Sequence, residues 1–291
     1  MLWSLFFPTV LLPLIVTGLL WRWPRRPLGG WIGMFVCALG VTGFSLLAAP
    51  WGWFGLGVRA FLFVVFVIAA IASMRSPLPA EPAPERPMRV LIMLLVGLMF
   101  GTAALGVLRA HIVPDGAVDL RFPLHHGAYL IGHGGSHPAA NTHAISPQQR
   151  YALDIVKLNS FAMRARGIYP SDLTRYEIFN DAIYSPCDGV VTKARDGIND
   201  NAPGRVDEKF PDGNYVIVRC GDADVLLAHM RRGSVAVQPN ARVTTNTLLG
   251  RVGNSGRTTE PHLHIHAERK GVGIGARFDG RWLVRNAIVR R

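Results

Sequence analysis

The segment TEPHLHIH, residues 259–266, places histidines at every second position: His262, His264 and His266. Successive side chains of a strand alternate faces, so these three imidazoles form one row. Imidazole binds first-row metals, and its proton affinity lies closest of all side chains to neutral pH. Two histidines two residues apart can both hold one ion, or one can hold it while the other moves protons. Spacing alone does not choose between these. A hydrolytic zinc site needs about three protein ligands from N, S or O donors and an open position for water, so other segments must complete the row. NTHAISPQQRYALDIV (141–156) and LLAHM (226–230) offer His143, Asp154 and His229. His125, His126, His133 and His137 lie further upstream. A single strand histidine is ordinarily a surface or satisfied residue, so the ordered row carries the signal here.

The elements that must position these side chains read as short strands. GNYVIVRC, DVLLAHM, GSVAVQP, TLLGRVGNSG and PHLHIHAER are β-like runs separated by Gly, Asn, Pro and Asp, and DGVVTKARDG is another with turns at both ends. SDLTRYEIF (171–179) is the one helix start, capped by Ser171 or Asp172. Residues 112–291 are therefore expected to form a mainly antiparallel β domain large enough to bury its own core. Gly253, Asn254, Ser255 and Gly256 read either as a shaped turn beside a groove or as a plain hairpin turn.

Residues 1–111 differ in kind. Uncharged runs near 2–21, 31–49, 54–74 and 90–109 predict four transmembrane helices. They lack the polar stripe of helices buried in a soluble domain. The first has no basic n-region and is long for a cleavable signal, so it reads as an anchor. The loop 21–30 holds Arg22, Arg25 and Arg26, and the proline-rich loop 75–87 with its neighbour 89 holds Arg75, Arg86 and Arg89. The positive-inside rule puts both loops in the cytoplasm, and the N-terminus and everything after about residue 111 on the periplasmic or extracellular side. Arg59 fits poorly, since it falls where the third span enters from outside.

Half of the net charge of +12 is topological, because residues 1–111 hold eight Arg against two Glu. The remainder suits an anionic polymer such as cell wall, or lipid headgroups. No helix-turn-helix, RNA-binding aromatic or zinc-finger signature is present, and nucleic acid is not expected as a partner. Cys187 and Cys220 lie in the outer domain, where disulfides are permitted; nothing in the sequence brings them together. Neither has metal-type spacing.

QRYALD, SPCDGVV, GNYVIV, LLAHM, GRVGNSG and EPHLHIH, in this order, resemble the lysostaphin/LytM-type zinc metalloendopeptidases over roughly residues 120–285. That resemblance implies an antiparallel β fold with a loop-walled groove, a zinc cofactor, and peptide cross-links of bacterial peptidoglycan as substrate. It implies zinc on Asp154 and His264, with His262 and His229 as the catalytic imidazoles. The usual first ligand stands four residues before the aspartate, where this chain has Arg150. A branch of the family with Asn-x-His further upstream makes His143 the first ligand, brought back to Asp154 by a loop over 144–150. His266 replaces an acid common in the family and is expected at a strand end, away from the metal. The implied chemistry is hydrolysis with a neutral-to-basic optimum, on the outer side of the cytoplasmic membrane. The competing classes are an inactive LytM-like binding or activator module for other wall hydrolases, and a protease acting on membrane or secreted proteins.

Overall fold

The computed structural model describes residues 2–23, 27–75, 84 and 86–291. Arg25, Arg26 and most of the proline-rich loop lie outside the described residues. The chain divides into two compact units. One takes in the chain up to Trp51 with Gly55–Leu108, and the other Gly52–Phe54 with Arg109–Arg291.

In the first unit four helical segments are long and apolar enough to cross a membrane: Trp3–Arg22, Leu28–Ala48, Leu56–Arg75 and Pro87–Arg109. The first is composite: α1 (Leu2–Phe6), a π-helical turn over Phe7–Leu11, and α2 (Leu12–Arg22). Pro13 has no N–H to give the carbonyl four residues before it, that of Thr9. Ser45 Oγ, on α3 (Leu28–Ala48), donates to that carbonyl at 2.8 Å. A freed backbone group at membrane depth needs such a partner. α3 also meets α5 (Pro87–Arg109) closely: a Cβ built on Gly40 would lie 2.3 Å from the Gly97 carbonyl oxygen. Arg59 sits within the first turn of α4 (Leu56–Arg75). A long side chain in that turn is within snorkelling reach of the end of the span.

The second unit is built on a nine-stranded sheet. Its strands are β1 (Ala128–His133), β2 (Leu153–Leu158), β3 (Gly189–Arg195), β4 (Asn214–Cys220), β5 (Ala223–Met230), β6 (Arg242–Val243), β7 (Leu263–Arg269), β8 (Val272–Ile274) and β9 (Ile288–Arg290). The spatial order is β9-β1-β2-β7-β5-β4-β3-β6, with β8 on β7, and every pairing is antiparallel. One face packs the core: Ile131, Leu153, Ile155, Val216, Val218, Val225, Leu227, Leu263 and Ile265 belong to a single buried cluster. Strict alternation then sends Asp154, His264 and His266 to the other face.

Two expectations change, and one open question is answered. GSVAVQP is not a strand: Asp196 Oδ2 takes the Val235 N–H and Leu249 O takes that of Ala236, so its backbone is satisfied without a regular ladder. The helix expected at 171–179 is only a 3-10 turn, Leu173–Arg175, capped by Asp172. Beyond it Tyr176 bridges to Ala165 and Glu177 N donates to Arg164 O, and this pairing competes with helix continuation. Cys187 and Cys220 do meet, as a disulfide with a Cα–Cα distance of 5.8 Å.

Candidate active site

β7 lies between β2 and β5, and its register sets the site. His264 pairs with Asp154 on one side and Ala228 on the other. His264 Nδ1 lies 2.9 Å from Asp154 Oδ1, and His143 Nε2 lies 2.9 Å from Asp154 Oδ2. One donor atom from each of His143, Asp154 and His264 falls within 4.8 Å of the others, close enough to hold a metal ion. Two imidazoles and a carboxylate are the donor chemistry zinc prefers. Burial would raise the Asp154 carboxyl, but His262 and His143 outweigh it and hold its pKa well below the usual carboxylate range. It is an anion at physiological pH, as a ligand must be.

His143 reaches Asp154 because one buried side chain closes the intervening loop. Asn141 is fully buried. Its Nδ2 donates to Gly135 O at 3.0 Å, Ala152 O at 3.1 Å and Arg150 O at 3.4 Å, while Oδ1 accepts the His143 N–H at 3.1 Å. A 3-10 turn over Thr142–Ile145 follows. Arg150 points outward and is exposed. Nothing local marks Asn141 beyond its place in Asn-x-His. Asn141→Ala would leave several buried carbonyls without a donor, at about 1–3 kcal/mol each. It is expected to lower the melting temperature by several degrees and to weaken metal retention, both measurable on the purified chain. An unchanged metal content would detach His143 from this loop.

His266 is not a strand-end residue. It lies inside β7, 6 % exposed, with Nδ1 3.0 Å from His264 Nε2. Burial first, then His264, lowers its pKa to about 3, so it is neutral. It is a second partner that orients the His264 ring, and its burial rather than its spacing reveals the role.

His229 reaches the same face by a different device. Val225 and Leu227 point into the core, and alternation would bury His229 with them. The pairing steps from Val216↔Leu227 to Asn214↔Met230, so β5 carries one extra residue, and His229 has φ +62°. A left-handed β-bulge of this kind re-aims a side chain. The His229 ring stands 4.9 Å from that of His262 and 5.7 Å from that of His264.

The two remaining imidazoles share one hydrogen-bonding pattern. His229 Nδ1 donates to Ser255 O at 2.9 Å, and His262 Nδ1 donates to Glu260 O at 2.9 Å. A carbonyl only accepts, so in the neutral ring each Nε2 carries the lone pair. Burial, with His262 and His264 adding to it, holds the His229 pKa well below the ordinary imidazole value. Burial pulls His262 down as well, but the Asp154 carboxylate prevails and its pKa is raised. The carbonyls of Ser255 and Glu260 are functional groups that sequence reasoning missed, since any residue type supplies one. Ser255 belongs to the 253–256 segment, which is no hairpin turn: Ser255 Oγ donates to Met230 O and accepts the Asn214 N–H. Glu260 is fixed by Arg164, whose Nε lies 2.8 Å from both carboxylate oxygens.

His229, His262 and His264 make a second trio with donor atoms within 4.8 Å of one another. His125 stacks on Tyr184, and His137 Nδ1 accepts the Ala139 N–H. Neither belongs to these trios.

Residues 175–275 match the model of Peptidase family M23. The match includes His229, His262 and His264; His143 and Asp154 lie before it. Among solved structures, the chain is similar to a zinc-containing peptidase from Vibrio cholerae at 14% identity and a TM-score of 0.29, covering 57% of this chain and 38% of that one. Lysostaphin is similar at 15% identity and a TM-score of 0.30, covering 49% and 44%. A SpoIIQ–SpoIIIAH pore-forming complex is similar at 15% identity and a TM-score of 0.29, covering 42% and 59%. In each case less than two thirds of the other chain is spanned. No curated protein matches.

Proposed function

We propose that the M23 peptidase domain of this chain, residues 112–291 with its flanks, is a zinc-dependent metalloendopeptidase that hydrolyses peptide cross-links of bacterial peptidoglycan. The four apolar helices of residues 1–111 anchor it in the cytoplasmic membrane, with the domain on the outer side. The observation that carries this reading is the convergence of His143, Asp154 and His264 beside two imidazoles, each anchored through Nδ1 to a backbone carbonyl.

His143, Asp154 and His264 would hold the ion, with His266 orienting His264. When bound, zinc supplies a Lewis acid for the scissile carbonyl and makes a water more acidic. The protein groups do the rest. His229, kept neutral by burial, accepts a proton at Nε2 from the attacking water. His262, with its raised pKa, is the better donor, to the carbonyl oxygen as negative charge develops there. The backbone carbonyls of Ser255 and Glu260 keep both rings in the orientation this requires.

The test is the full chain purified in detergent. It is expected to retain one zinc per chain and to release new amino termini from purified peptidoglycan. Zinc without hydrolysis would leave a binding module, and cleavage of protein substrates in place of peptidoglycan would leave a protease of another kind.

The orientation rests on Arg22, Arg25, Arg26, Arg75, Arg86 and Arg89 on one side of the spans. A reporter fused after residue 115 is expected to be active only in a form that works outside the cytoplasm. Activity of a cytoplasm-only reporter at that junction would remove the wall as substrate.

A further inference from the structure

A second β-bulge faces the site, opposite the one that carries His229. Ile131 pairs with Ile155 but His133 pairs with Asp154, so β1 has one residue more than β2 at Gly132. Ile131 lies in the core, and alternation would send His133 after it. The bulge turns His133 onto the Asp154 face. Arg285 Nη1 donates at 2.7 Å to the bulge carbonyl, Gly132 O.

The surroundings of His133 settle which of its nitrogens is spent. Thr142 N donates to Nδ1 at 3.4 Å, and Thr142 Oγ1 lies 3.2 Å from the same atom. Arg285 Nη1 stands 3.2 Å from Nδ1 and 3.5 Å from Nε2. A backbone N–H can only donate, so Nδ1 is the acceptor for Thr142 and in the neutral ring the hydrogen sits on Nε2, from which Arg285 Nη1 stands further than from Nδ1. His133 lies outside both trios of metal donors.

The rings form a series. His133 is 5.9 Å from His143, His143 is 4.8 Å from His264, His264 is 5.7 Å from His229, and His229 is 4.9 Å from His262. In the strand order β1-β2-β7-β5, His133 on β1 and His229 on β5 stand on opposite sides of Asp154 and His264.

We propose that His133 is a substrate-positioning residue, whose Nε2–H donates to an acceptor oxygen of the peptide on the His143 side of the site. The inference rests on the peptidoglycan reading for its choice of probe. The probe is soluble peptidoglycan fragments, and the protein is the full chain in detergent carrying His262→Ala to prevent turnover. His133→Ala in that background is expected to weaken binding about tenfold, the weight of one hydrogen bond. His133→Gln, which keeps a side-chain N–H, is expected to restore most of the loss. Zinc content is expected to equal the parent's in both variants, and the imidazole nitrogen shifts of labelled His133 to report the Nε2–H tautomer. Unchanged binding in His133→Ala, no recovery in His133→Gln, zinc lost from both, the Nδ1–H tautomer, or no fragment binding by the parent would each overturn the proposal. If the wild-type chain fails to cleave peptidoglycan while His133→Ala still weakens fragment binding and His133→Gln restores it, the hydrolase reading falls and this one stands.

Discussion

Asp154→Ala and His264→Ala are each expected to leave a chain that retains no zinc through dialysis and does not release amino termini from peptidoglycan. Each change takes one donor from a set of three, and two donors are too few for a stable site. Asp154→Ala is expected to have the larger effect. Its two oxygens face His264 Nδ1 and His143 Nε2 at 2.9 Å each, so its removal also leaves both imidazoles without their common acceptor. Loss of even an outer partner of a ligand ordinarily costs about 10–100-fold in metal affinity, and loss of a ligand costs more. His143→Ala is expected to behave in the same way, while Arg150→Ala retains both zinc and activity because Arg150 is exposed and holds the loop only through its backbone carbonyl. Metal analysis of the four purified variants decides the ligand set. Full zinc and full activity in His143→Ala would hand the third position to another residue.

His229→Ala and His262→Ala separate metal binding from proton transfer. Both variants are expected to keep nearly all of the zinc and to lose turnover by roughly 10²–10⁴-fold, the usual weight of a positioned acid or base. The double variant is expected to lose little more than the worse single one, because groups that act on one transition state are not additive. The alternative is concrete, since His229, His262 and His264 also lie close enough to hold an ion. If zinc leaves His262→Ala and His229→Ala as completely as it leaves His264→Ala, that second trio is the metal site, and Asp154 and His143 lose the ligand role proposed here. The donor set favours the first outcome, because it includes a carboxylate, Asp154, whose two oxygens face His264 Nδ1 and His143 Nε2 at 2.9 Å each.

Much of this molecule is legible from local pattern. The apolar runs announce four helices because a spanning helix needs an uninterrupted stretch of its own length, and length is a property of sequence. His262, His264 and His266 share a face because a strand's period is two, and Leu263 and Ile265 between them show which face is core. What the tertiary structure decided is whatever depends on register between distant strands. Alternation alone assigns His229 and His133 to the core, and only an extra residue in β5 against β4, and in β1 against β2, turns them to the active face. A bulge is set by the residue opposite on the neighbouring strand, which the strand's own alternation does not show. The pairing of His264 with Asp154 spans 110 residues. His143 meets Asp154 only because Asn141 finds three carbonyls that the fold delivers to it. His266, expected at a strand end, became a buried support because β7 runs on to Arg269 between two neighbours. The sequence by itself determined which residue types could do the chemistry and which strand carries most of them; long-range register decided which of those imidazoles face one another, since hydrogen-bond pairing between strands is the only thing that fixes their relative position.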